Sequence, residues 1–181
     1  KNENDNLSQE ESSDSFLSGN ANFYFASKLD DGKIMKLPYR MLNTSYNHIH
    51  DDFQLNINGS LEYIPNLNSY SFKMDDPQDF LIDLRELYLT WYGNSMEVRF
   101  GKQIHSFGFV DENSPLDNGS AYDYNFLFET GTERKIATTS FAMDIYYKNF
   151  KFGFTATPFH SINRLPSSYA EFPIDLPVIP N

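Results

Sequence analysis

The chain has 181 residues, 40% of them apolar and 17% aromatic, with a formal net charge of −11 and no cysteine. That length suits one ordinary domain. The acidic balance speaks against a nucleic-acid partner, which needs clustered basic surface, and the missing cysteines exclude disulfides, zinc–thiolate sites and thiol nucleophiles.

No run reaches the roughly 18 apolar residues of a membrane-crossing helix, so any membrane role falls to strands. The chain opens at Lys1 with neither Met nor an apolar secretory segment, as expected of a processed form or an excised piece. Its first residues set Glu3, Asp5, Glu10, Glu11 and Asp14 against Lys1 alone, about a third of the net charge of −11. Residues 1–18 are therefore expected to form a disordered acidic leader, and 19–181 to form β-barrel strands with long external loops.

From Gly19 onward, short segments with a two-residue period alternate with clusters of Asn, Asp, Gly and Pro, the pattern of β-strands. The first two are expected at about 20–28, around Phe23 and Phe25, and at about 36–47, around Leu37, Tyr39 and Met41. The clearest covers 53–63, where Phe53, Leu55, Ile57, Leu61 and Tyr63 alternate with Gln54, Asn56, Asn58, Ser60 and Glu62. In 81–92, Leu87, Leu89 and Trp91 oppose Glu86, Tyr88 and Thr90, and Asp83 and Arg85 break the phase as a bulge or the end of the buried band would. Further strands fall at 96–104, with Met96, Val98 and Phe100 against Glu97, Arg99 and Gln103, at 137–147, and at about 150–155 with Phe150, Phe152 and Phe154.

The connections alternate in length. Tight turns fall at 47–52, 92–95 and 148–149, and long connections at 29–35, 64–80, 105–134 and from 159 onward. Outer-membrane barrels share this asymmetry of short periplasmic turns and long external loops. An odd number of strands cannot close a bacterial single-chain barrel, and Pro173, Pro177 and Pro180 make a poor closing strand. The expected fold is thus all-β: an antiparallel up-and-down transmembrane β-barrel, of which this chain is an N-terminal portion of about seven strands.

Over 81–170, the run Leu84-Arg85-Glu86-Leu87-Tyr88-Leu89, the turn at Gly93-Asn94, Val98-Arg99-Phe100-Gly101-Lys102-Gln103 and Phe107-Gly108 resemble Gram-negative outer-membrane porins of the alginate-export type and their uncharacterised relatives. Asn113-Ser114-Pro115-Leu116-Asp117, Pro158-Phe159 and Asn163-Arg164-Leu165-Pro166 are similar to further pieces of that family, while Lys102 and Phe107 depart from its usual Arg and Trp. The resemblance implies a channel passing solutes across the outer membrane, with no catalysis and no cofactor. The partners implied are outer-membrane lipid and lipopolysaccharide, a small solute, and the remaining strands of the barrel or partner chains.

In such a barrel the polar face lines the lumen. Its candidates are Gln54, Asn56, Asn58, Glu62, Glu86, Glu97, Arg99, Gln103, Asp144 and Lys151, and Arg99 could pair across its hairpin with Glu86, the only acidic residue on that face of the preceding strand. The long loop 105–134, rich in aromatics and bearing Asp111, Glu112, Asp117, Asp123 and Arg134, could fold into the lumen as a constriction or pack at the surface. Tyr63, Trp91, Tyr92, Tyr147 and Phe159 suit membrane-interface girdles.

His48 and His50 beside Asp51 and Asp52 read as a solvated turn rather than a metal site. Asp30-Asp31 and Asp75-Asp76 lack the spacing of a calcium loop. His105-Ser106 has no third partner in sequence that would make it catalytic. The competing reading is a soluble β-barrel or β-sandwich that binds lipid or carbohydrate, its apolar face turned inward. Alternation alone cannot say which face is inside.

Overall fold

The computed structural model describes residues 13–35, 37–64, 80–106, 119–126, 129 and 131–166. Seven long strands form one antiparallel sheet: β1 (Ser13–Ala21), β4 (Tyr39–His50), β5 (Phe53–Tyr63), β6 (Phe80–Tyr92), β7 (Met96–Gln103), β10 (Thr138–Tyr147) and β11 (Phe150–Ala156). Each pairs with the next in that order, so the sheet is a meander, open, with β1 and β11 at its edges. Two small ribbons accompany it, β2 (Ala26–Ser27) with β3 (Ile34–Met35) and β8 (Ala121–Tyr122) with β9 (Lys135–Ile136), and a single 3-10 turn covers Gly131–Arg134.

The tight turns lie together at one end of the sheet. Asp51 and Lys148 open theirs in the left-handed region, at φ 49° and 54°, and the Gly93 amide donates to the Met96 carbonyl at 2.8 Å. The long connections leave from the other end.

Alternation and register together sort the side chains. One row across five strands reads Phe53, Trp91, Val98, Met143 and Phe154, and the next on that face Leu55, Leu89, Phe100, Phe141 and Ala156. The opposite face carries Gln54, Thr90, Arg99, Ala142 and Thr155, then Asn56, Tyr88, Gly101 and Ser140. Among the described residues fourteen polar or charged ones are buried against six apolar ones, while Phe100, Phe152 and Phe154 are each more than half exposed. Burial is therefore inverted relative to a water-soluble domain, whose large apolar side chains are the ones most often buried.

Aromatic rings mark both ends of the apolar face. Tyr39, Tyr63 and Phe80 follow one another at 5.5 Å between centroids at the loop end, and Phe53, Trp91, Tyr147 and Phe150 lie beside the turns. The eleven residues of β5 extend roughly 33 Å at about 3.3 Å per residue.

Two expectations are corrected and one open alternative is decided. The first strand is Ser13–Ala21 rather than 20–28, so residues 13–18 of the expected leader belong to the sheet. An edge strand is held by main-chain pairing, here from Ser13↔His50 to Ala21↔Leu42, which needs no apolar alternation. The rings of Phe23 and Tyr24 instead pack edge-on against Tyr39 at the strand end. The second strand runs to His50, three residues further than expected, because Asp51 and Asp52 alone make the turn. The phase break in β6 is a bulge: Asn58 pairs with Glu86 but Gly59 with Leu84, which leaves Arg85 over and puts both Asp83 and Glu86 on the polar face.

Candidate functional site: the covered polar face

At the loop end the polar face carries Arg40 on β4, Glu62 on β5 and Arg85 at the β6 bulge. Chain from 119–126, 131–136 and 157–166 lies over them. This cover is itself knitted by main-chain bonds: Asp123 donates to the Arg134 carbonyl at 2.7 Å, Tyr124 to the Arg164 carbonyl at 2.9 Å, and Arg164 to the Tyr122 carbonyl at 2.9 Å.

Cover and sheet are joined by charge. Glu62, with no exposed surface, accepts from Arg40 Nε at 3.0 Å, Arg164 Nη2 at 3.0 Å and Ser60 Oγ at 3.3 Å. Arg40 also donates to the Glu133 main-chain carbonyl at 2.5 Å. Arg85 donates to Glu133 Oε2 at 2.5 Å and to the Thr132 carbonyl at 3.1 Å. Arg164 closes the set on Asp123, donating from Nε to Oδ2 at 2.7 Å. The buried ring of Phe126 lies 4.2 Å from the Arg40 guanidinium and 5.9 Å from that of Arg164, within cation–π range. Burial works against the charge of Arg164, but its bonds to Asp123 and the nearness of Glu62 hold its pKa above the ordinary arginine value.

Away from the cover the polar face is an amide and hydroxyl ladder. Tyr92 donates to Gln54 Oε1 at 2.8 Å, Gln54 to Asn56 Oδ1 at 2.9 Å, and Asn58 to Glu86 Oε2 at 2.6 Å. At the far side Asp144 accepts from Arg99 Nη2 at 2.9 Å and lies 3.2 Å from Lys151, and Glu97 lies 3.3 Å from Arg99.

Register places the ten polar-face candidates on one face, though not in one environment. Glu62 and Gln103 are sealed, Asn56 and Asp144 nearly so, and the others are partly or well exposed. Arg99 does not pair with Glu86. The turn after Tyr92 sets Arg99 opposite Thr90, four residues along β6 from Glu86, and Glu86 takes Asn58 and the Ile104 amide at 2.9 Å instead.

Of the loop candidates, Asp123 is in the ion cluster and Arg134 caps it by its carbonyl, while Asp111, Glu112 and Asp117 lie outside the described residues. Asp75-Asp76 and Phe107 lie outside them too. Arg40, Arg85, Phe126, Glu133 and Arg164 were not singled out by sequence as a site. The one available signal was charge at the loop ends of otherwise uncharged or apolar strands.

The remaining motifs resolve locally. His48 Nδ1 shares a hydrogen bond with Ser15 at 2.8 Å, and His50 lies 3.8 Å from Asp51. Among the described residues no three His, Asp or Glu side chains converge as a metal site. Asp31 is held below the usual carboxylate pKa by its hydrogen bond with Lys33, 2.7 Å away. His105 Nε2 meets Ser140 Oγ at 2.7 Å. Ser140 is 1% exposed, so this pair ties the loop base to β10. No family model, curated protein or solved structure matches the chain.

Proposed function

We propose that this chain is part of an outer-membrane β-barrel channel of a Gram-negative bacterium, passing small solutes through a polar lumen without catalysis. One observation carries the reading: the polar face of the sheet is the buried, covered one, and the apolar face, ringed with aromatics at both ends, is left open. A soluble binding module would bury those rows of Phe, Leu and Trp. A lipid-facing wall leaves them outward and keeps charge on the inner side. Short turns at one end and long connections at the other agree with it, as does the resemblance, which rests on the quoted residues alone.

On this reading the two open edges are covered by further strands or partner chains, because unpaired backbone is not tolerated in lipid. The cover over Glu62 narrows the lumen, so the described parts of the loop that bear Asp123, Phe126 and Glu133 act as a constriction. The test is fractionation of the full-length product. Outer-membrane residence, a need for detergent, heat-modifiable migration and ion conductance in planar bilayers are expected. A soluble, monodisperse protein would overturn the proposal.

A further inference from the structure

On the polar face between β1, β4, β5 and β6, under the edge of the cover, lies a cavity of about 410 Å3, within the roughly 300–1,000 Å3 usual for small-molecule sites. Its floor is uncharged and hydrogen-bonding: Ser18, Asn20, Asn43, Ser45 and Asn58. Its three charged neighbours are already engaged. Arg85 is spent on Glu133 and the Thr132 carbonyl, and Glu86 accepts from Asn58 and the Ile104 amide. An ionic ligand would have to break those pairs to find a counter-charge. Asn43 stands opposite Asn20 in the β1–β4 register, so two amides lie side by side at the cavity.

We infer that this cavity binds a neutral polyhydroxylated solute, a sugar, with the amides of Asn43 and Asn20 and the hydroxyl of Ser18 hydrogen-bonding to its hydroxyls. A sugar hydroxyl both donates and accepts, so it satisfies amides and hydroxyls in turn without displacing an ion pair. The inference deepens the channel reading and rests on it for access, since the solute reaches this face from the lumen.

The experiment uses the full-length protein in detergent and in planar bilayers, with maltotriose as the neutral probe and trigalacturonate as a charged probe of similar size. Calorimetry on the detergent-solubilised protein is expected to give saturable maltotriose binding and none of comparable strength for trigalacturonate. Asn43→Leu should weaken it about tenfold, the effect of losing one buried hydrogen bond. Ser18→Leu, at an exposed position of an edge strand, fills the cavity without touching the fold and should weaken it as well. In bilayers maltotriose should reduce ion current concentration-dependently in the parent and less in both variants.

Conductance without maltotriose binding, or binding that both variants leave unchanged, overturns the inference and spares the channel. Tighter binding of trigalacturonate overturns the neutral class. Maltotriose binding lost in the variants, in a protein that conducts nothing, upholds the site and overturns the channel reading instead.

Discussion

Two regions of the polar face carry similar ion pairs under different cover. Beneath the loop chain, Arg40 and Glu62 are 2% and 0% exposed; around Asp144, Arg99 and Lys151 are 31% and 56% exposed. The first set has exchanged water for one another and must stay complete, because a charge stripped of its partner in a dry site is costly. The second set remains wetted and contributes little to stability, and on the proposed channel reading it is free to act on whatever passes. Similar chemistry thus serves as a fastener in one place and, on the proposed channel reading, as a field in the other, and burial decides which.

The largest expected effect comes from breaking the fastener. Glu62→Gln leaves Arg40 and Arg164 facing a neutral amide, and folding should lose about 3–5 kcal/mol, the range for one partner removed from a buried pair. Urea titration of the folded fraction on unheated gels would measure it. A loss under about 1 kcal/mol would mean that the cluster does not hold the cover to the sheet.

Next comes Gly101, in the strand that joins the two regions. Its φ of +137° is open to glycine, and a Cβ there would stand 2.3 Å from the Leu87 carbonyl oxygen and 2.7 Å from Tyr88 Cα. Gly101→Ala should therefore cost about 3 kcal/mol by the same titration. A neutral result would show that β6 and β7 can move apart without consequence.

In the open region the expectation reverses. Arg99→Ala should change stability by at most about 1 kcal/mol, since its pair with Asp144 is partly solvated. Reversal-potential measurements across a salt gradient should nevertheless show a lumen more selective for cations, because Asp144 and Glu97 are left facing Lys151 alone. A large stability loss with unchanged selectivity would erase the distinction between the two regions.

Much of this was legible in sequence, for identifiable reasons. Strands β5, β6, β7, β10 and β11 announce themselves because lipid or core demands a continuous apolar row on one face. The turn at Lys148 and Asn149 is fixed because the phase resumes at Phe150. β1 was displaced because an edge strand can be specified by backbone pairing alone, so Phe23 and Phe25 drew the reading toward themselves. The ion cluster was hidden for a different reason: Arg40, Glu62, Glu133 and Arg164 come from four separated stretches, and nothing local in any of them says that they meet. Arg99 and Glu86 show the same limit at short range, since only the turn's register decides between Glu86 and Thr90.

The smallest prediction concerns the turns, which touch neither region. Asp51 and Lys148 hold nearly the same left-handed conformation, φ 49° and 54°, and aspartate tolerates it better than lysine does. Lys148→Asn should recover about 1 kcal/mol of backbone strain on that account. It also removes the Lys148 ammonium from above the Tyr147 ring, 5.3 Å away, a contact worth about 0.5–1 kcal/mol where exposed. The two terms oppose, so net stability should stay within about 0.5 kcal/mol of the parent, with reversal potential and current unchanged. A gain of about 1 kcal/mol would mean the cation–π contact contributes nothing in solution. A comparable loss would mean the turn is set by the ring contact rather than by the backbone, and that Tyr147 anchors the turn end of β10 more firmly than its exposed position suggests.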